Sequence, residues 1–233
     1  MRHLIVFGTA FLLVSSAFAA FGQNTTEVED RVVSAAVVLK EIMDTPDKSI
    51  PQDLLDRCQC VVIIPSMKKG AFFFGGNYGK GVISCRTESG AGPWSAPSMV
   101  MMGGGSFGLQ IGVQATDLVL VVMNLRGIES LLDTKFTLGG DASAAAGPVG
   151  RTTSAKTDAL MTAKILAYSR SKGMFAGLSL NGEVLRADQD ANFVLYKKQL
   201  TPHQILFNRM ADLPKDAKIL TDQLTKVSPK QLK

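Results

Sequence analysis

Apolar positions along the chain change their period as the sequence proceeds. From Val28 they recur at helical spacing through Val32, Ala35, Ala36, Leu39, Ile42 and Met43, behind a Thr26-x-x-Glu29 pair with the spacing of a capping box. The pattern predicts an amphipathic helix ending near Asp44. Pro51 suits the first turn of a short helix through Asp56. Then the period drops. "CVVIIP" (60–65) reads as a buried strand stopped by Pro65, and "GAFFFGGNYGKGVISCR" (70–86) as a hairpin turning near Gly76 and Asn77. "GPWSAPSMV" sets two prolines around Trp94, a rigid connection into another strand.

The middle of the chain continues in strands. Phe107, Leu109, Ile111 and Val113 alternate with Gly108, Gln110, Gly112 and Gln114, and "DLVLVVMN" (117–124) follows as a second strand after only a few residues. "LRGIESLLDTK" (125–135) is expected as a short helix with Ile128, Leu131 and Leu132 on one side. "KFTLGGDASAAAGPVGR" is expected as an extended segment entering a loop. "ALMTAKILAYS" (159–169) fits helix or strand. Its second half is expected as a strand, because "GMFAGLSLNGEVLR" (173–186) alternates and would pair with it across a turn at Ser171 to Gly173. Helices are predicted at about 190–198, at 202–209 with Pro202 at the start, and at 215–227. A helical start, a β-rich middle and a helical end define an α+β fold class.

One motif in the β-rich middle invites a nucleotide-binding reading. Gly103, Gly105 and Gly108 in "MMGGGSFGLQIG" have the G-x-G-x-x-G spacing of a dinucleotide loop. That loop needs a helix directly after the glycines and an acidic residue about 20 positions on. Here a period-two segment follows, there is no room for a crossover helix, and Asn124 stands where the carboxylate would be sought. The glycines read instead as bare backbone in a tightly coiled sheet, or as places where a ligand comes close.

Catalytic constellations fail similarly. Ser66-x-x-Lys69 and Ser169-x-x-Lys172 match a serine–lysine spacing of penicillin-recognising enzymes, with no S-D-N or K-T-G partner downstream. No G-x-S-x-G elbow exists, and a triad would have to use His203, which sits at a polar helix start. Cys58, Cys60 and Cys85 with one distant histidine make a poor metal set. No enzyme, cofactor or metal is expected.

Composition adds the compartment. Of the 233 residues 46% are hydrophobic, enough for one core, and the formal net charge is +5, which suits weak attraction to anionic surfaces better than nucleic-acid binding. Residues 1–19, "MRHLIVFGTAFLLVSSAFA", read as a signal peptide: Arg2 at the start, an apolar run from Leu4 to Val14, and Ala17 and Ala19 before a cleavage site. Cleavage after Gly22 is the alternative to cleavage after Ala19, and the apolar run is shorter than the roughly 20 residues of a membrane-spanning helix. The expectation is an exported protein, periplasmic or secreted, peripheral to an outer membrane. In such a compartment the three cysteines allow one disulfide and one free thiol. Spacing does not choose the pair; Cys60 with Cys85 is one candidate.

Basic residues fall on the expected turns: Lys68 and Lys69, Lys80, Arg86, Arg151, Arg170 and Lys172. Gathered at one end of the sheet, they would form a cationic rim around Gly103, Gly104 and Gly105, able to hold phosphate headgroups by charge and by backbone N–H groups.

Four stretches carry a resemblance. "IIPSMKKGAFFFGGNYGKGVISCR", "WSAPSMVMMGGGSFGLQIGVQATDLVLVVMN", "KFTLGGDASAAAGPVGR" and "YSRSKGMFAGLSLNGEVL" occur in the order found in the SYLF family, also called the actin-binding family after its yeast members. The resemblance spans about residues 30 to 208. It implies an antiparallel, barrel-like β core with helices packed around it, and a lipid-binding domain that recognises phosphoinositides and membranes in eukaryotic members, some of which bind actin. Bacterial members that resemble this chain are exported, and for such a member actin is not the expected partner. The implied organisation is a signal peptide over 1–19, a SYLF domain over 25–210 and a helical tail over 211–233, with no appended peptide-binding or phosphoinositide-binding domain. One departure is evident: the first helix carries Glu27, Glu29, Asp30 and Glu41 against Arg31 and Lys40, a net acidic polar face poorly suited to anionic lipid. The expected function is non-enzymatic binding of anionic phospholipid, or of a protein partner in the cell envelope.

Overall fold

A computed structural model describes residues 20–45, 49–71, 75–106, 112–124, 136–140, 143–149, 163–171, 174–177, 180 and 182–229. The expected signal peptide, the helix at 125–135, and Arg151 and Lys172 lie outside them.

The described residues form one α+β unit, a curled half-barrel sheet with helices from both ends of the chain packed on it. Helix α1 (Ala20–Asp44) and α2 (Gln52–Arg57) precede the strands β1 (Cys60–Ala71), β2 (Gly75–Cys85), β3 (Ser98–Ser106) and β4 (Gly112–Val122). The strands β5 (Phe136–Thr137), β6 (Ala144–Ala146), β7 (Ile165–Ser171), β8 (Met174–Gly177) and β9 (Val184–Ala187) follow. Helices α3 (Gln189–Tyr196), α4 (Pro202–Leu206) and α5 (Lys218–Val227) end the described chain. The sheet runs β5-β9-β3-β2-β1-β4-β7, with β6 and β8 both on the far side of β7. Every pairing is antiparallel except that of β6 with β7.

The run "VVII" is buried on both faces, which is why it lacks alternation. Val61 and Ile63 join Val82, Met99, Val119, Val121, Leu166 and Tyr168 beneath the helices. Val62 and Ile64 face into the curl with Met67, Ile83, Val100, Met102, Leu118 and Leu120. Helix α1 contributes Val28, Val32, Ala35, Ala36, Leu39 and Ile42 to the first of these cores, and α5 contributes Leu220 and Leu224. The C-terminal segment thus packs into the same core as the rest.

Local chemistry sets the helix ends. Asp188 caps α3 by accepting from the Ala191 N–H, and Thr201 with Gln204 forms a capping box ahead of Pro202 in α4. Helix α1 begins at Ala20, so Thr26 and Glu29 lie inside it and do not cap it.

Four sequence expectations shift. Pro65 does not stop β1: the strand passes through it at a bulge, where the register with β4 slips between Ile64 and Met67. Ser66 there takes a φ of +50°, and its N–H is held by Asp117 Oδ1 at 2.9 Å, so the irregularity absorbs the proline. The hairpin does not turn at Gly76 and Asn77, which are strand residues opposite Gly70 and Lys69. β4 is one strand from Gly112, where the alternation suggested a break before Asp117. Finally, β8 pairs with β7 as expected, but β9 crosses to β3 on the other side of the sheet.

Candidate functional site

Strand registers identify one exposed corner of the sheet. On the helix-covered face of β2, Val82 lies under the helices, and Lys80, Tyr78 and Gly76 follow outward along the strand. Lys80 pairs with Met101, which pairs with Arg186. Tyr78 is flanked by Lys68 and Gly103, and Gly103 by Val184. Gly76 is flanked by Gly70 and Gly105. Opposed residues of neighbouring strands share a face and stand roughly 5 Å apart. Tyr78 therefore rises, half exposed at 50%, from a floor of glycine backbone with Lys68, Lys80 and Arg186 around it.

Beside this corner, under the N-terminal part of α1 and the start of α3, lies a cleft of about 320 Å³. Glu27, Arg31, Tyr78, Lys80, Arg186 and Asp190 are among its lining residues. Its charges are partly spent on each other. Arg31 binds Asp188 at 3.0 Å and Glu27 at 3.3 Å, and Lys80 lies 3.6 Å from Glu27. Lys68 and Arg186 are exposed and make no ion pair among the described residues.

The predicted basic set therefore divides. Lys68, Lys80 and the glycines come together, and Lys69 occupies the next β1 position, in register with Asn77 and Gln114. Arg170 sits at another corner, where Asp117 and Glu41 hold it between β4 and α1. Arg86 is corrected outright: it is 3% exposed and points into the structure. Its guanidinium stacks 4.4 Å from the centre of the Trp94 ring. Nη2 donates to the Ser228 carbonyl at 2.7 Å and to Ser228 Oγ at 2.6 Å. It is also ten residues of extended strand from Gly76, about 33 Å. Burial lowers its pKa from the ordinary guanidinium value.

The glycines have different reasons for being glycine. At Gly104 an added Cβ would collide with Glu183, whose Oε1 accepts from Asn77 Nδ2 at 2.5 Å on the inner face. Gly103 and Gly105 carry no such constraint. All three are strand residues registered against Tyr78, Asn77 and Gly76. They stand in a strand and not in an open anion-binding loop; the β9 pairing ends opposite Gly103, so Gly104 and Gly105 pair only with β2 among the described residues. The ladder also leaves no strand–glycine–helix passage for a nucleotide, since β3 and β4 are separated by β2 and β1.

Cys60 and Cys85 face each other across β1 and β2 and form a disulfide. Cys58 is free and buried, its Sγ 3.1 Å from the Leu55 carbonyl. Among the described residues no group of three or more His, Cys, Asp or Glu side chains is placed to hold a metal.

Sequence reasoning missed Tyr78 and Arg186. Tyr78 was hidden in a supposed turn, and Arg186 alternates with Val184 on β9, a signal that mattered only once β9 was known to border β3.

The chain has known relatives. The family model described as "Ysc84: Las17-binding protein actin regulator" matches residues 103–227, and the chain belongs to that family, the one whose domain is called SYLF. An SH3 domain-containing protein of Schizosaccharomyces pombe is 39% identical over 165 residues, 70% of this chain and 38% of its own length. LAS seventeen-binding protein 3 of Saccharomyces cerevisiae is 37% identical over 171 residues, 72% of this chain and 37% of its own length. The human SH3 domain-containing YSC84-like protein 1 is 30% identical over 198 residues, 82% of this chain and 56% of its own length. The chain thus matches well under half of the two yeast relatives.

Proposed function

We propose that this protein is a non-enzymatic binding protein that docks on anionic phospholipid through the corner built by Lys68, Tyr78, Lys80 and Arg186. One observation carries the reading: two exposed cations, without ion-pair partners among the described residues, stand near a half-exposed tyrosine over a glycine-lined part of the sheet. Near an anionic surface each such cation contributes about 1 kcal/mol, and tyrosine is favoured where apolar and wet regions meet. Lys69 is the next β1 position, in register with Asn77 and not with the corner residues; Arg151 and Lys172 remain in the set by sequence alone. Arg86 leaves it, and Arg170 is committed to Asp117 and Glu41. Export, to the periplasm or beyond the cell, belongs to the same proposal: residues 1–19 have the signal pattern, and a buried Cys60–Cys85 disulfide suits an oxidising compartment.

The test is vesicle flotation of the chain from Ala20 onward with phosphatidylglycerol-containing and neutral phosphatidylcholine vesicles. Lys68→Glu with Arg186→Glu should weaken binding to the anionic vesicles by about tenfold or more. Unchanged binding by that double variant would reject the corner as the lipid site.

A second reading has its own support. The family model and the yeast relative are named for binding Las17, so the same corner of this chain is also proposed as a protein-docking surface. Binding to one protein partner that ignores salt, with no vesicle binding, would favour it.

A further inference from the structure

Three glycines in the central strands are demanded by the fold. At Gly79 and Gly81 an added Cβ would meet Ile64, with Met67 also crowding Gly79, and at Gly104 it would meet Glu183. Gly76, Gly103 and Gly105 differ. None of them is among the described residues with positive φ. A Cβ on Gly105 would have no described atom within 4 Å. On Gly76 it would meet only the Gly104 carbonyl at 3.8 Å, and on Gly103 the Asn77 carbonyl at 3.4 Å and Tyr78 Cδ2 at 3.9 Å. These are ordinary contacts. Glycine weakens a strand interior, yet three of them stand together on one exposed face where any small side chain would fit.

We infer that the Gly76–Gly103–Gly105 floor is reserved for direct contact with the headgroup layer of a bilayer, with Tyr78 entering the interface beside it. This rests on the lipid reading given above and adds the mode of docking. The outer corner of the sheet is the membrane-contacting element; the polar face of α1, with its excess of acidic residues, is not. Bare backbone lets the sheet approach until Lys68, Lys80 and Arg186 reach phosphates at the level where the tyrosine ring meets the acyl boundary. A Cβ branch on the floor would hold the whole corner off the surface. Charge chooses lipid over a second copy of this chain: two such corners face to face would bring Lys68 and Arg186 against their own kind.

Three variants of the chain from Ala20 onward, Gly105→Val, Tyr78→Trp and Tyr78→Ala, test this against phosphatidylglycerol-containing vesicles, with thermal melting as the folding control. Gly105→Val should melt no lower than the parent, since valine favours an exposed strand, and should bind at least about fivefold more weakly. Tyr78→Ala should lose affinity to a similar degree. In Tyr78→Trp the new indole should shift its emission to the blue on vesicle binding, against the constant signal of the sole native tryptophan, Trp94, which is buried far from the corner. A folded Gly105→Val that binds like the parent overturns the inference. So does an unshifted Tyr78→Trp spectrum on vesicles that demonstrably carry protein. If Lys68→Glu weakens binding while both of these results are negative, the lipid reading stands and the docking mode fails. A parent chain that binds no vesicle removes both.

Discussion

Arg31 of α1 and Asp188 at the head of α3 meet at 3.0 Å, with side-chain exposures of 7% and 6%. Asp188 also caps α3 through the Ala191 N–H. One carboxylate therefore fixes where two helices cross the sheet beside the candidate corner. Arg31→Met leaves that carboxylate buried without its cation and should cost about 3 kcal/mol in urea unfolding. A loss below about 1 kcal/mol would show the pair to be replaceable.

Arg86 joins the C-terminal end of α5 to the sheet. Its Nη2 and Trp94 Nε1 both donate to the Ser228 carbonyl, at 2.7 and 3.2 Å, and Ser228 Oγ donates to the Leu55 carbonyl at 2.8 Å. Arg86→Ala removes the stack on Trp94 and the charged hydrogen bonds to the Ser228 carbonyl and Oγ, leaving that carbonyl to Trp94 Nε1, so a loss of about 2–3 kcal/mol is expected. Vesicle binding at a temperature where the variant is folded should not change, because Arg86 does not belong to the corner. Lost binding by folded Arg86→Ala would restore it to the site.

Stability should fall at alkaline pH. Burial pushes the Cys58 thiol up from about 9 to about 12. The unfolded thiol loses its proton first, so between these values the folded state binds more protons and stability falls as pH rises. The contribution is intact below pH 9 and declines above it, by at most about 1.4 kcal/mol per pH unit. Buried Tyr168 and Tyr196 are also raised and extend the same trend upward. Cys58→Ala should delay the onset of the decline in melting temperature. A melting temperature flat from pH 8 to 11 in the parent would contradict this.

The Cys60–Cys85 bridge closes a sequence separation of 25 residues. Removing it as Cys60→Ala with Cys85→Ala should lower stability by about 3 kcal/mol in the loop-entropy picture. Denaturant unfolding of oxidised and double-variant chains gives the difference directly. Cys58 should resist alkylation in the native chain and react only after unfolding, because its thiol is buried and held protonated.

Patterns set by one element were legible in the sequence. The helical recurrence from Val28 to Ile42 marked the core face of α1, and "VVII" showed a strand buried on both sides. Features set by distant pairing were not. Arg86 reads as a turn residue because the group that captures it lies 142 positions away. Pro65 reads as a stop because the bulge that accommodates it depends on Asp117. The choice of Cys60 with Cys85 needs the β1–β2 register, and the site needs β9 beside β3, a crossing that no local period announces. The glycines at 103–105 were visible as a cluster, yet separating the one that Glu183 forbids to change from the two left open required coordinates.

The most direct measurement is flotation of the unaltered chain from Ala20 onward with phosphatidylglycerol-containing and neutral vesicles across a salt series. Binding through exposed cations should be confined to the anionic vesicles and should fade as the Debye length shrinks from about 10 Å at 0.1 M salt toward 3 Å at 1 M. Equal binding to both vesicle types at every salt concentration, or none to either, would contradict the account.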